Sequence, residues 1–229
     1  MNLAIIPARG GSQRIHRKNI RKFLGRPIIE YSIEAAIKSK CFDEIMVSTD
    51  DDEIAKISMK CGAIVPFKRS HHNSTNTAST SDVLIEVLNE YIKRGKYWKF
   101  ACCIYPTAPL LTPDLLKQGE EILKSNQTVK SIITAVKYSH PIQRAFSLQS
   151  GCISLIDSNF CSSRTQDIEP FYHDAGQFYW LDVNEFLMSK SILTHSSMAL
   201  VIPELEVQDI DCEEDWALAE LKYEYLKRC

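Results

Sequence analysis

Short apolar runs alternate along the chain with stretches in which apolar residues recur every three to four positions. Leu3 to Pro7 predicts a first strand that ends in a glycine-containing loop. Pro27 then opens a helix on which Ile29, Ile33 and Ala36 or Ile37 share a face. Glu44 to Thr49 reads as a second strand, Asp51 to Cys61 as a helix stopped at Gly62, and Ala63 to Phe67 as a third strand. The polar loop SHHNSTNTASTS leads into a helix expected from about Ser81 to Arg94. Phe100 to Tyr105 is apolar throughout, as a strand covered on both faces should be. Thr112 and Pro113 supply an N-cap and a first-turn proline, and Lys130 to Val136 is a further strand. Ala175 to Leu181 and Met198 to Ile202 return to strand character, and a last helix runs from about Cys212 to Lys227. The rhythm predicts an α/β fold around a mostly parallel sheet.

The rhythm breaks between about residues 138 and 174, where a polar stretch carries only short strand-like pieces. With no internal repeat or low-complexity linker, the expected organisation is one domain over residues 1–229. An arm inserted at about 138–174 would carry substrate contacts or a subunit interface.

Composition narrows the function classes. At 229 residues, 45% hydrophobic and 24% charged, the chain can bury the core of one domain. A net charge of −2 argues against bulk electrostatic capture of nucleic acid or a membrane, so a bound phosphate must be met by a local cluster of cations. The opening MNLAIIPARGG lacks a basic leader, and no stretch reaches the ~20 apolar residues of a membrane helix. The eight cysteines (Cys41, Cys61, Cys102, Cys103, Cys152, Cys161, Cys212 and Cys229) form no CxxC pair and suit a reducing compartment. A cytoplasmic protein is expected. Tyr91, Tyr97, Trp98 and Phe100 near Lys93, Arg94, Lys96 and Lys99 suggest a base-stacking platform, but a helix end running into a buried strand explains the same residues.

Two constellations carry chemistry. In IPARGGSQRIHRKN, directly after the first strand, Gly10 and Gly11 allow close backbone approach to a ligand. Arg9, Arg14, Arg17 and Lys18 place four cations in the same loop, a combination that suits a triphosphate. The spacing is neither GxxxxGK[ST] nor GxGxxG, and a basic surface turn would share its composition. In the second, Asp209 and Asp211 stand two apart before the final helix, so an extended backbone turns both carboxylates to one side. Two carboxylates completed by phosphate oxygens and water suit Mg²⁺, although Asp211 also stands where a helix N-cap would.

The segment IPARGGSQRIHRKN resembles the N-terminal signature of the CMP-sugar synthetases, cytidylyltransferases that act on sialic acid and related sugars. VSTDDDEIA at 47–55, YPTAPLL at 105–111 and VQDIDCEEDW at 207–216 continue the resemblance in order over nearly the whole chain. Within the family the pattern is most like the branch that activates pseudaminic acid, through CCIYPTAP at 102–109, HPIQRA at 140–145 and SRTQDIEPFYHDAGQFYW at 163–180. Sialate-activating relatives tend to carry Gln at the place of Tyr105 and Asn-Gly-Ala at the place of Asp174-Ala175-Gly176.

The resemblance implies a Rossmann-like nucleotidyltransferase fold, a homodimer built with the inserted arm, and Mg²⁺ dependence. It also implies transfer of CMP from CTP to an acidic nine-carbon sugar. Arg9, Gly10, Gly11, Ser12, Arg14, Lys18 and Asn19 would contact the nucleotide, and Arg69, Ser81 and Asp82 would help hold its cytosine and ribose. Asp209 and Asp211 would hold the metal and, with Arg9 and Lys18, carry the catalysis. Tyr105, Gln143, Arg164, His173, Gln177 and Tyr179 would face the sugar. Gln13 stands where the family has Lys, and His16 where it has Pro, which removes one cation from the loop and loosens its backbone. Activation of sialic acid, legionaminic acid or the eight-carbon sugar Kdo is the rival within enzymes, and a non-catalytic nucleotide-binding regulator the rival outside them.

Overall fold

The apolar runs assemble into one six-stranded sheet in a computed structural model that describes residues 1–160 and 163–228. Cys161 and Cys229 lie outside the described residues. In chain order the elements begin with β1 (Asn2–Pro7), a short hairpin of β2 (Lys22–Phe23) and β3 (Arg26–Pro27), α1 (Ile28–Ser39), β4 (Glu44–Ser48) and α2 (Asp52–Lys60). Then come α3 (Thr80–Lys93), β5 (Phe100–Ile104), α4 (Pro113–Ser125), β6 (Ser131–Lys137), β7 (Phe146–Gln149), β8 (Cys152–Leu155) and β9 (Tyr172–Asp182). The chain closes with α5 (Val183–Ser189), β10 (Ser197–Val201) and α6 (Glu213–Arg228).

The sheet order is β10-β6-β9-β5-β1-β4. β1 runs parallel to both β4 and β5, and β10 parallel to β6, whereas β9 is antiparallel to β5 and β6. Strand alternation splits the apolar residues between two cores. Ala4, Ile6, Cys102 and Ile104 face α1, α2 and α4, while Leu3, Ile5, Ala101 and Cys103 face α3 and α5. Both faces are covered, which is why β1 and β5 read as unbroken apolar runs. Tyr91, Trp98 and Phe100 are buried in these cores, so only Tyr97 of that aromatic group is exposed.

The expected strand at Ala63–Phe67 is reduced to a single bridge from Ile64 to Met46. Pro66 lacks the N–H that a longer ladder would need. The thiols of Cys41, Cys61, Cys102, Cys103, Cys152 and Cys212 are free. Among the described residues no helix is long and apolar enough to cross a membrane.

The arm is a separate two-stranded ribbon. β7 and β8 pair antiparallel through a Ser150-Gly151 turn in which both residues have positive φ, as a tight hairpin requires. Phe146 pairs with Leu155 and Leu148 with Ile153, so four apolar side chains share one face. Every residue of both strands is exposed.

A third apolar cluster joins α6 to the rest. Phe23, Ile28, Tyr31 and Trp216 pack with Ile15 from the basic loop and Ile210 from the Asp209–Asp211 segment. Ile15 and Ile210 are 1% and 0% exposed, so both chemistry-bearing segments are pinned by their central residue.

Candidate functional site

Strand order reverses between β1 and β5, since β4 lies on one side of β1 and β5 on the other. Beyond the carboxyl ends of strands at such a reversal, the diverging loops leave a crevice. Here it is a cleft of about 230 Å³, lined on one side by Arg9, Ser12, Arg14, Lys18 and Asn19. The polar loop after residue 70 and the start of α3 form the facing wall, through Asn73, Thr75, Asn76, Ser79 and Thr80. Arg69 and Tyr105 complete the lining.

The loop is tied at many points. Asp50 accepts a hydrogen bond from Gly10 N at 2.9 Å, and a Cβ at Gly10 would meet Asp51 Oδ2 at 2.8 Å, so only glycine fits there. A Cβ at Gly11 would meet open space, and neither glycine has the positive φ that would demand it, so Gly11 keeps the approach clear without making a special turn. Asn19, largely buried at the edge of the cleft, donates to Arg9 O at 2.9 Å and so fixes the backbone of Arg9. Arg9 spans the opening to Thr75 O at 2.8 Å and Asn76 Oδ1 at 2.6 Å. Arg69 is buried, donating to Ser48 Oγ and Ser48 O. Burial pulls its guanidinium down to about 10, against the pull of Asp50 and Glu86, so it remains a cation at neutral pH.

Asp211 accepts Arg14 at 2.7 Å and has Lys18 at 3.6 Å, and Lys18 also donates to Ile210 O at 2.5 Å. α6 starts at Glu213, so Cys212 rather than Asp211 holds the N-cap position, and Asp215 in the first turn reaches back to accept from Asp211 N and Cys212 N at 2.9 Å each. The Asp211 carboxylate is thereby left for the cations, and the N-cap alternative falls to another residue. Ile210 points into the aromatic cluster, so Asp209 and Asp211 project to the opposite side. The Asp209 carboxyl is raised above the ordinary range by desolvation first, then by the like charge of Asp211, with Lys18 opposing. Among the described residues no cluster of three or more His, Cys, Asp or Glu is arranged to enclose a metal. An open two-carboxylate site for Mg²⁺ fits what is present, since crowding of Asp209 by Asp211 is what a divalent cation would relieve.

A second cleft of about 420 Å³ lies beyond the carboxylates, lined by His173, Asp174, Gln208, Asp209, Asp211 and Lys222 among others. It meets the first where Arg14 and Lys18 reach Asp211. A hydrogen-bonded row also joins the two: Thr80 Oγ1 with Tyr105 OH at 3.1 Å, the edge of Tyr105 against Tyr179 at 5.6 Å, and Tyr179 donating to Asp174 at 2.5 Å. Burial holds both phenols above their ordinary range.

Several sequence expectations shift in position. Ser81 and Asp82 do not line the cleft; Ser79 and Thr80, one turn edge earlier, do so, and the Asp82 carboxylate is committed to a capping box with Ser79. Gln177 and Tyr179 are 2% and 5% exposed and line neither cleft, standing instead directly behind Tyr105 and Asp174. The Gln177 side chain donates to Glu206 O through Nε2, its backbone carbonyl accepts from Tyr105 N, and its buried Oε1 has no partner. Tyr105 lines the first cleft and His173 the second, its ring against Tyr138 and its Nδ1 by Asp174 O. Gln143 and Arg164 sit on the arm: Gln143 donates to Glu169 O, and the exposed Arg164 opens a short 3-10 turn. Asp50, Asp51 and Glu53 lie in the segment VSTDDDEIA whose resemblance was legible, yet their role in holding the loop shows only in three dimensions.

A family model described as cytidylyltransferase matches residues 3–195. The chain is 42% identical over 223 residues to a pseudaminic acid cytidylyltransferase of Campylobacter jejuni, covering 97% of this chain and 96% of that protein. It is 33% identical to a CMP-N,N'-diacetyllegionaminic acid synthase of Legionella pneumophila, over 95% and 94% of the two chains. In fold it is similar to a CMP:2-keto-3-deoxy-manno-octonic acid synthetase solved with CTP, at a TM-score of 0.70 and 16% identity, covering 100% and 99% of the two chains.

Proposed function

The chain belongs to the cytidylyltransferase family, and from that premise we propose that it transfers CMP from CTP to the anomeric hydroxyl of pseudaminic acid, releasing pyrophosphate. The observation that carries the reading is the link between the two clefts, where Arg14 and Lys18 of the cation-lined crevice pair with Asp211, a carboxylate of the acid-lined groove. CTP lies in the crevice, its triphosphate against Arg9, Ser12, Arg14 and Lys18, its nucleoside toward Arg69, Ser79 and Thr80. The sugar lies in the groove past His173 and Asp174, with Tyr105 at the junction and Arg164 offering a planar fork for its carboxylate.

The sugar hydroxyl attacks the α-phosphorus. A new P–O bond forms, the bond from the α-phosphorus to the bridging oxygen breaks, and the hydroxyl proton is released. Such transfers depend on positioning and charge neutralisation more than on covalent chemistry. Arg9 and Lys18 take up the charge that grows on the departing pyrophosphate. Arg14, paired with Asp211, would be available to the phosphates were that carboxylate to hold a cation. Asp209 and Asp211 would hold Mg²⁺, which supplies Lewis-acid polarisation of the phosphate.

The arm supports a homodimer. An isolated two-stranded ribbon is marginal in water, and the exposed row of Phe146, Leu148, Ile153 and Leu155 is covered by a second copy. The free thiols fit work in a reducing cytoplasm. Calorimetric titration tests the nucleotide half of the reading: CTP binds with Mg²⁺ and in preference to ATP, GTP and UTP. Equal binding of all four, or none, would overturn it.

A further inference from the structure

Three of the four cations in the basic loop line the first cleft, and Arg17 does not. Its guanidinium turns the other way, onto the start of α2. It donates to Asp51 through two nitrogens, at 2.9 and 3.0 Å, and to Glu53 at 2.7 Å. Asp51 is the N-cap of α2, accepting from Glu53 N and Ile54 N, and it is also the wall against which Gly10 packs. One carboxylate therefore meets the beginning of the loop at Gly10, its end at Arg17, and the helix that follows β4. Arg17 itself stands at φ 51, ψ 35, a left-handed conformation that an L side chain rarely adopts. Its carbonyl accepts from Ile20 N and Arg21 N, so that turn sets the direction in which the next two residues, Lys18 and Asn19, leave the chain.

We propose that Arg17 is a positioning residue, whose clamp on Asp51 and Glu53 holds the loop in the shape that presents Arg9 and Lys18 to the triphosphate. The inference rests on the reading of the cleft as the CTP site. The clamp fixes the turn before Lys18, Lys18 reaches Asp211, and Asn19 sets the backbone of Arg9. Glycine at 17 accepts the left-handed turn but loses the clamp. Lysine keeps the charge but cannot make the two-nitrogen contact with Asp51.

The test compares Arg17→Ala, Arg17→Gly, Arg17→Lys, Asp51→Asn and the double variant Arg17→Ala/Asp51→Asn. Asn at 51 still accepts the helix amides, so it weakens the clamp without removing the cap. Each is measured for CTP binding by titration, for KM and kcat of pyrophosphate release, and for thermal melting. Arg17→Ala is expected to raise KM for CTP and lower kcat, each by roughly tenfold, while the sugar KM stays within about twofold. Asp51→Asn moves the same parameters in the same direction, and the double variant is no worse than Arg17→Ala alone. Arg17→Gly and Arg17→Lys fall with Arg17→Ala. An additive double variant, with Asp51→Asn leaving CTP kinetics untouched, would make Arg17 a phosphate ligand and overturn the proposal. Unchanged CTP kinetics in Arg17→Ala would overturn it as well. If Arg17→Ala does not fold, Arg17→Lys and Asp51→Asn decide the matter by the same criterion. Failure of the wild-type protein to bind CTP sinks the functional reading, whereas wild-type binding with an indifferent Arg17→Ala sinks this inference alone.

Discussion

The basic loop and the inserted arm are built on opposite principles. The loop is polar at its surface yet held from beneath by Ile15 in an aromatic cluster and across its back by Asp50 and Asp51. The arm is a ribbon whose apolar face is exposed, with no buried cluster among the described residues beneath it. A nucleotide site must present fixed donors to a ligand of constant shape, and preorganisation lowers the cost of binding it. If a second copy covers the ribbon, as proposed, assembly rather than its own chain supplies the support. The loop is therefore expected to be sensitive to single polar changes, and the arm to changes of apolar surface.

Four tests probe this contrast. The largest effect is expected at the join of the two clefts: Asp211→Ala lowers kcat on the order of 10²–10³-fold, read as pyrophosphate release. Next, Ile210→Ala empties the apolar support under both aspartates and costs roughly 2–5 kcal/mol of stability, read as a fall in melting temperature. Third, Leu148→Glu with Ile153→Lys keeps a cross-strand pair in the ribbon but removes its apolar face. A shift from dimer to monomer mass and a rise of about tenfold in sugar KM are expected, with CTP affinity within about twofold. A loss of CTP affinity as large as the loss for the sugar would erase the distinction between the two regions.

The smallest effect is a pH dependence. The Arg17 guanidinium, and after it the α2 amides, hold the Asp51 carboxyl below the ordinary aspartate range. Its stabilising contribution is complete above the unfolded value near 4, and is lost as pH falls through the lowered folded value. Asp51→Asn is expected to cost about 1 kcal/mol or less at pH 7, with the gap to wild type closing below about pH 4. A gap that stays constant into acid would contradict the clamp's ionic character.

What the sequence revealed, it revealed through local chemistry. β1 and β5 were legible as unbroken apolar runs and Thr112 as a cap placed before a helical period, whereas Asp51, read as the first residue of its helix, is the cap. The basic loop and the Asp209–Asp211 pair were legible as charge in a fixed position relative to those elements. Direction was not legible. Nothing local says that Arg17 turns to α2 while Arg14 turns to Asp211, because the choice depends on which carboxylates the fold brings near. β9 runs antiparallel between β5 and β6, a fact of topology rather than of pattern, and with it Gln177 and Tyr179 become buried supports. Ala63–Phe67 carried a strand's hydrophobicity, yet Pro66 left it as one bridge. The seven-residue α5 escaped notice because so short a helix shows less than two turns of its period.

The most direct test of the central claim is pyrophosphate release with CTP and Mg²⁺, offering pseudaminic, N-acetylneuraminic and legionaminic acids and Kdo in parallel. Fast release with pseudaminic acid and little with the others, abolished by Asp211→Ala, is expected. Release with none of the four sugars, by a protein that binds CTP, would contradict it.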